Sequence, residues 1–190
     1  MTQLSGTPAP HGITVAVIGA GVLGRSFALA CATAGFRVIL EDVMPSKLRR
    51  AESDFASLGQ SVELASTVEA AVREADIVVD FVPDELESKL EILSLVDRMA
   101  PPKTVMCTPS ETLSITDLSS CTYRPDRCVM IRGVLNAAPG QGVNLLYARE
   151  IATPTMDLAT ALLVALGYAV EAEFDPDLPM LMKNQGYAVS

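Results

Sequence analysis

The chain has 190 residues, of which 49% are hydrophobic and 19% are charged, so it can bury a core of its own and is not expected to be disordered. Its 14 basic and 23 acidic residues give a formal net charge of −9. A surface with this charge repels nucleic acid and anionic membranes, which excludes both as general partners, although a local dipolar pocket can still bind a small anion.

The sequence carries no membrane or disulfide signal. No apolar run reaches the roughly 18 residues that a membrane helix requires, and residues 1–12 lack the basic and apolar segments of a secretory signal. The four cysteines, Cys31, Cys107, Cys121 and Cys128, form no C-x-x-C motif. We therefore expect a cytoplasmic protein with reduced thiols and no metal site.

Short apolar segments alternate with helical segments along the chain. A flexible leader is expected at 1–12, and 13–18 is a β-branched run typical of a strand buried on both faces. Further strands are predicted at 37–41, 62–64, 76–82, 104–107, 129–135, 144–151 and 168–174, and helices at 22–34, 45–59, 67–74, 85–99, 114–119 and 153–166. This alternation predicts an α/β fold, a Rossmann-type doubly wound and mostly parallel sheet in a single domain at 13–174, followed by a tail at 175–190.

The turn after the first predicted strand carries a glycine-rich motif. Gly19, Gly21 and Gly24 form G-x-G-x-x-G between a buried strand and a helix that begins with Val22 and Leu23. The first glycine allows a tight turn, the second lets a diphosphate approach the backbone, and the third allows close packing of helix and strand. Phosphate is favoured there by the free amides and the positive dipole of the helix N-terminus.

An acidic residue follows at the spacing that a ribose site requires. Asp42 ends the second predicted strand, 23 residues after the first glycine, where a carboxylate accepts hydrogen bonds from ribose hydroxyls and repels a 2′-phosphate. The pattern predicts a dinucleotide site and favours NAD over NADP, a preference that Lys47, Arg49 and Arg50 soften without reversing. The alternative is that the glycines only pack a turn and that Asp42 caps the next segment.

Further segments extend the comparison beyond the nucleotide-binding half. Besides the glycine turn they are 38–42, 76–84 leading to Lys89, 112–115, 136–139, 151–154 and the tail segment 179–184. In these segments and their order, the chain resembles the NAD-binding domain of the 3-hydroxyacyl-CoA dehydrogenase family, without that family's C-terminal helical domain. The resemblance implies an NAD site at the strand ends and hydride exchange between NAD and the 3-hydroxyl of a fatty acyl-CoA.

The resemblance also assigns roles to three residues by their position. Asp80 stands where the family has a glutamate near the nicotinamide, and Lys89 matches a lysine that contacts the cofactor. Asn136 matches the family's active-site asparagine. With the glycine turn and Asp42, these positions complete the set that the resemblance would place around the cofactor and substrate.

Two departures from the family bear on catalysis. The family's catalytic histidine falls on Gly133, and the single histidine, His11, precedes the first strand at the opposite edge of the sheet. Removing an alcohol proton during hydride transfer needs a base such as histidine. The family's active-site serine falls on Glu111, whose neighbours Ser110 and Thr112 restore a hydroxyl if the alignment shifts by one residue. A desolvated Glu111 is a candidate acid or base, the alternative being a solvated loop carboxylate.

Three functions remain open on these observations. The first is an NAD(H)-binding protein that lacks the family's histidine-based chemistry. The second is an oxidoreductase acting on a 3-hydroxyacyl or 3-ketoacyl substrate, possessing a substitute acid or base or a partner-supplied domain, with Glu111, Ser110 and Asn136 as candidate catalytic residues. The third is a non-catalytic Rossmann scaffold for protein interaction. The apolar run at 178–182 predicts a homodimer or a partner chain at the tail, unless the tail folds back on its own sheet.

Overall fold

A computed structural model provides the structure of the protein and describes residues 12–135 and 140–185. The strands are β1 (Thr14–Ile18), β2 (Arg37–Glu41), β3 (Glu63–Ala65), β4 (Ile77–Asp80), β5 (Val105–Pro109), β6 (Cys128–Arg132), β7 (Gly142–Tyr147) and β8 (Ala169–Phe174). The helices are α1 (Val22–Thr33), α2 (Pro45–Ser57), α3 (Val68–Val72), α4 (Leu86–Met99), α5 (Ile115–Ser120), α6 (Thr153–Ala165) and α7 (Met180–Gln185), with a 3-10 turn at Pro125–Arg127.

The eight strands form one sheet in the order β3-β2-β1-β4-β5-β6-β7-β8. Neighbouring strands pair in parallel except β6 and β7, which are antiparallel. The predicted Rossmann-type, mostly parallel α/β fold is therefore confirmed. The strand order reverses at β1, which lies between β2 and β4, and such a reversal opens a crevice at the carboxyl ends of the strands.

The core lies on both faces of the sheet because successive side chains of each strand point in opposite directions. On one face, side chains such as Val15, Val17 and Leu40 pack against α1, α2 and α6. On the other face, side chains such as Ile18 and Ile39 pack against α3, α4 and α5. Burial on both faces explains why these strands read as continuous apolar runs.

Several predicted boundaries were wrong by a few residues. The strand predicted at 129–135 ends at Arg132, since Gly133 has a φ of 128° that cannot continue an extended strand. The strand predicted at 144–151 lies at Gly142–Tyr147. The tail, for which no element was predicted, contains the short helix α7. The predicted leader lies outside the described residues, apart from Gly12. No helix in the described ranges is long and apolar enough to cross a membrane.

Candidate cofactor-binding site

The glycine turn joins β1 to α1 more closely than any other residue type would permit. Gly19 has a φ of 97°, and a Cβ at this position would lie 3.1 Å from the carbonyl oxygen of Phe81. A Cβ on Gly24 would lie 1.8 Å from the carbonyl oxygen of Gly19, which no rearrangement of side chains can relieve. The start of α1 is therefore held against the end of β1 by backbone contact.

Gly21 stands at the N-cap of α1 with a different role. Its backbone is extended (φ −65°, ψ −176°), and no side chain caps the helix there. A Cβ on this residue would meet no atom within 4 Å. Val22 and Leu23, in the first turn, are 72% and 50% exposed. The amides at the start of α1 are thus uncapped by side chains and open, as a bound phosphate requires.

Two clefts meet at this turn. The first cleft, of about 600 Å³, is lined by residues 21–24, 80–82, 109–111 and 133–135 together with Asp84 and Lys89. The second cleft, of about 630 Å³, is lined by residues 41–43 and 81–83 together with Ile18, Gly19, Gly21, Lys47, Val68, Ser88, Glu91, Ile92 and Leu95. Gly21 belongs to both, so two clefts of similar size flank an open helix N-terminus. This shape suits a dinucleotide, whose two halves are joined by a diphosphate.

Asp42 lies in the second cleft, where the ribose carboxylate was predicted. Its Oδ2 accepts hydrogen bonds from the Ala20 amide at 2.9 Å and the Lys47 ammonium at 3.2 Å, and its Oδ1 accepts from the Met44 amide at 2.9 Å. Burial raises the pKa of Asp42, but these bonds outweigh it and hold the pKa below its ordinary value. The ionised carboxylate keeps room for a ribose hydroxyl, and more room if the exposed Lys47 side chain moves away.

Glu41 is a titratable residue of the second cleft that the sequence analysis missed. Its side chain is buried, with 3% of the residue exposed, and its Oε1 makes no hydrogen bond within the described residues. Burial, and to a smaller degree the neighbouring Asp42, raises the pKa of Glu41 to about 7. The available signal was its place in β2, two residues after Ile39, which points the side chain toward the buried α3 and α4 face.

Asp80 and Lys89 form a buried ion pair in the first cleft. Lys89 Nζ donates to Asp80 Oδ1 at 2.7 Å, and the two residues are 1% and 2% exposed. Burial raises the pKa of Asp80, and Lys89 and then the Thr108 hydroxyl counter part of that rise. Both predicted residues therefore line the same cleft, and the lysine is already engaged by the aspartate. That Lys89 also contacts the cofactor stays a prediction.

The loop after β5 brings Glu111 to the same cleft. The Glu111 amide donates to Asp84 Oδ2 at 3.0 Å, and Glu111 Oε1 accepts from the Gly133 amide at 2.9 Å. Ser110 has a different task, since its hydroxyl oxygen accepts from the amides of Thr112 and Leu113 and holds the loop in shape. Asp84, which the sequence analysis did not select, anchors this loop through that hydrogen bond and lines the same cleft.

The position of the family's histidine is occupied by Gly133, whose backbone conformation favours glycine. Gly133 has a φ of 128°, and a Cβ there would lie 3.2 Å from Val143 Cγ1 and 3.3 Å from the Gly142 carbonyl oxygen. A histidine at this position would be strained without a local rearrangement. The other two residues that bear on catalysis, His11 and Asn136, lie outside the described residues.

A match to a protein family identifies the family of the chain. Residues 14–62 and 47–132, which together cover more than half of the chain, match the family described as 3-hydroxyacyl-CoA dehydrogenase, NAD binding domain. The chain belongs to this family. Its cofactor is NAD, in agreement with the prediction from the glycine turn and Asp42.

Over the aligned segments, individual relatives are between a quarter and a third identical to the chain. The probable 3-hydroxybutyryl-CoA dehydrogenase of Bacillus subtilis is 29% identical in an alignment of 133 residues, and the match covers 60% of this chain and 46% of that protein. The lambda-crystallin homolog of Mus musculus is 28% identical in an alignment of 180 residues, and the match covers 85% of this chain and 56% of that protein. The chain thus spans about half the length of the curated relatives it matches.

Solved structures agree with the fold. The 3-hydroxyacyl-CoA dehydrogenase of Archaeoglobus fulgidus superposes with a TM-score of 0.75 at 25% identity, covering 92% of this chain and 60% of that one. The (S)-3-hydroxybutyryl-CoA dehydrogenase of Ralstonia eutropha gives a TM-score of 0.77 at 20% identity, covering 85% of this chain and 63% of that one. At the latter identity the likeness concerns the fold alone.

Proposed function

We propose that this chain is an NAD(H)-binding protein in which the family's histidine-based hydride-transfer chemistry is absent. The observation that carries the proposal is Gly133. It occupies the position that the resemblance assigns to the histidine, and its φ of 128°, together with the 3.2 Å separation that a Cβ would have from Val143 Cγ1, would strain any side chain there. The sequence contains a single histidine, His11, and it precedes β1.

The residues around the two clefts divide the work of holding the cofactor. The amides at the start of α1, with Gly21 open beneath them, would hold the diphosphate. Asp42 would accept a hydrogen bond from the adenosine ribose, and the first cleft, with Asp80 and Lys89, would receive the nicotinamide half. NAD, when bound, supplies a hydride acceptor. The carboxylate of Asp42 disfavours the 2′-phosphate of NADP.

One observation favours a second candidate function, an oxidoreductase that uses Glu111 in place of the histidine. Glu111 Oε1 accepts a hydrogen bond from the Gly133 amide, which puts a carboxylate in the first cleft beside the position assigned to the family's base. A carboxylate so placed could take the proton of a 3-hydroxyl as the hydride leaves. The substrate would then be a 3-hydroxyacyl or 3-ketoacyl compound of the acyl-CoA type, as in fatty acid metabolism.

Cofactor titration followed by a turnover assay tests both candidates. We expect NADH fluorescence to increase on binding and NAD to raise the melting temperature more than NADP does. Absence of any response to NAD and NADH would contradict the proposal and leave only an interaction scaffold. If the purified chain then oxidises 3-hydroxybutyryl-CoA with NAD and Glu111→Gln abolishes the activity without weakening NADH binding, the second candidate replaces the first.

We also propose that the tail segment at 178–182 is an interface with a second copy or another chain. Lys183 anchors α7 through its bonds to Asp117 at 2.8 Å and Asp177 at 2.5 Å. Leu181 and Met182 nevertheless remain 71% and 60% exposed. In sedimentation, the pair of changes Leu181→Glu and Met182→Glu is expected to lower the mass of the wild-type assembly. The interface would be contradicted if the wild type sediments as a monomer and deletion of 178–190 leaves it a monomer.

The cysteines support a reducing, cytoplasmic setting as a further part of the proposal. All four are free thiols, with Cys31, Cys107 and Cys128 buried and Cys121 exposed. Burial raises the pKa of the Cys128 thiol to about 12, so it is an inert packing group. Non-reducing electrophoresis after purification in air tests the state of Cys121.

A further inference from the structure

Glu41 is a buried carboxyl group that neither the sheet nor the ribose site uses. It is the last residue of β2 and lies in register with Ile18 of β1 and Ala65 of β3, at the carboxyl edge of the sheet. Glu41 is also one of the residues that line the second cleft. Within the described residues no donor reaches its Oε1. A buried polar group without a partner is costly, and a ligand in the cleft can supply the missing partner.

The charged groups around Glu41 do not satisfy it. The titratable side chains that line the second cleft with it are Asp42, Lys47 and Glu91. The Lys47 ammonium bonds Asp42, and the two acidic neighbours cannot stabilise a second negative charge. Its strand partners, Ile18 and Ala65, are uncharged. The pKa of about 7 follows from burial first and Asp42 second, so near neutral pH a large fraction of Glu41 carries a proton.

The position of Glu41 relative to the cofactor site suggests what its partner is. With the diphosphate at Gly21 and the ribose at Asp42, the base extends farther into the second cleft, whose walls include the apolar side chains of Val43, Val68 and Leu95. Apolar walls suit the faces of an aromatic base. A protonated carboxyl group both donates and accepts a hydrogen bond, and adenine offers an amino donor beside ring-nitrogen acceptors.

We propose that Glu41 binds the adenine ring of NAD as a neutral carboxylic acid, donating to a ring nitrogen and accepting from the 6-amino group. The inference rests on the NAD binding described above and deepens it. An ionised Glu41 could only accept, and it would face the lone pair of the ring nitrogen. Binding of NAD to the ionised form is therefore accompanied by uptake of one proton from solvent, and affinity falls as pH rises above neutrality.

Titration of the wild type and two variants with NAD tests the inference. Between about pH 6 and about pH 8.5 we expect the wild-type affinity to fall roughly tenfold. Glu41→Gln, whose amide donates and accepts at every pH, should bind NAD with an affinity that changes little over that range. Glu41→Leu, which can do neither, should bind roughly tenfold more weakly than the wild type at about pH 6, the loss expected for one or two hydrogen bonds.

Calorimetry on the unmodified protein provides a measurement that does not depend on variant folding. Titrations near pH 8 in buffers of different ionisation enthalpy should show proton uptake with NAD and with ADP-ribose, which carry adenine. Nicotinamide mononucleotide, which lacks adenine, should show none. ADP-ribose thus reports on the adenine half of the site, and nicotinamide mononucleotide reports on the nicotinamide half.

The outcomes separate the inference from the function on which it rests. Tighter NAD binding by Glu41→Leu at about pH 6, or a wild-type affinity that does not change with pH, would overturn the role of Glu41 while leaving NAD binding intact. Failure of the wild type to bind NAD at any pH would instead overturn NAD binding itself. Equal proton uptake with nicotinamide mononucleotide would also overturn the inference, since it would place the titrating group outside the adenine half.

Discussion

Two adjacent carboxylates show how the fold gives neighbouring residues opposite chemistry. Asp42 receives two backbone amides and a lysine, so it stays ionised and suits a ribose hydroxyl. Glu41, one residue earlier, points toward the face of the sheet that α3 and α4 cover, and burial raises its pKa to about 7. Asp42 could be predicted from the sequence, because the carboxylate that binds the ribose follows the glycine motif at a characteristic spacing along the chain. Glu41 could not, because burial depends on helices that come from elsewhere in the chain.

Glu41→Gln is expected to change how stability depends on pH. The raised pKa means that the folded state holds this proton more tightly than the unfolded chain, so the wild type loses stability as pH rises from the ordinary value of 4.5 to about 7. The side-chain amide of the variant does not titrate, so the variant does not lose stability in this way. In urea unfolding, the variant should gain on the wild type across this window by roughly 2–3 kcal/mol and hold that difference at higher pH. Curves that stay parallel from pH 4 to pH 8 would contradict a buried, protonated Glu41.

Within single elements, the two glycines at the start of α1 have different roles, one in packing the fold and the other in leaving room for a ligand. Gly24 permits the helix to touch β1, whereas Gly21 leaves space that protein atoms do not fill. Both roles could be predicted from G-x-G-x-x-G between a strand and a helix. The bounds of β6 and β7 could not, because apolar residues continue past the point where Gly133 turns the backbone.

Alanine at the two glycines should therefore give different results. Gly24→Ala would place a Cβ 1.8 Å from a carbonyl oxygen, so we expect a loss of several kcal/mol of stability, about 3 or more, or failure to fold. Gly21→Ala should melt within a few degrees of the wild type but bind NAD at least roughly tenfold more weakly, since its methyl group would occupy the diphosphate position. The measurements are thermal melting and NADH titration. Unchanged NADH affinity in folded Gly21→Ala would show that the cofactor does not approach this backbone.

The buried ion pair between Asp80 of β4 and Lys89 of α4 allows a second test, of how two elements are held together. Lys89→Met leaves Asp80 buried without its cation, and removal of one partner from such a pair costs about 3–5 kcal/mol. Because the lone carboxyl would have a still higher pKa, the loss should be larger at pH 8 than at pH 5. The control is the double variant Asp80→Asn and Lys89→Met, which should recover much of the stability in urea unfolding. No recovery would mean that Lys89 stabilises the fold by packing and not by pairing.

At the scale of the whole molecule, the sheet order brings distant segments to one edge. Ile18, Glu41 and Asp80 end three neighbouring parallel strands in register, and the two clefts open there. The alternation of strands and helices predicted this architecture. The contact between Glu111 and Gly133 was beyond prediction, because it joins the loop after β5 to the end of β6 through a side chain whose direction no sequence pattern specifies.

A crystal structure of the chain grown with NAD would show directly whether the two clefts hold the cofactor. We expect the diphosphate on the amides at the start of α1, a ribose hydroxyl on Asp42 and the adenine ring within hydrogen-bond distance of Glu41. Clefts that stay empty in crystals grown with saturating NAD, or a dinucleotide bound away from Gly21, would contradict it.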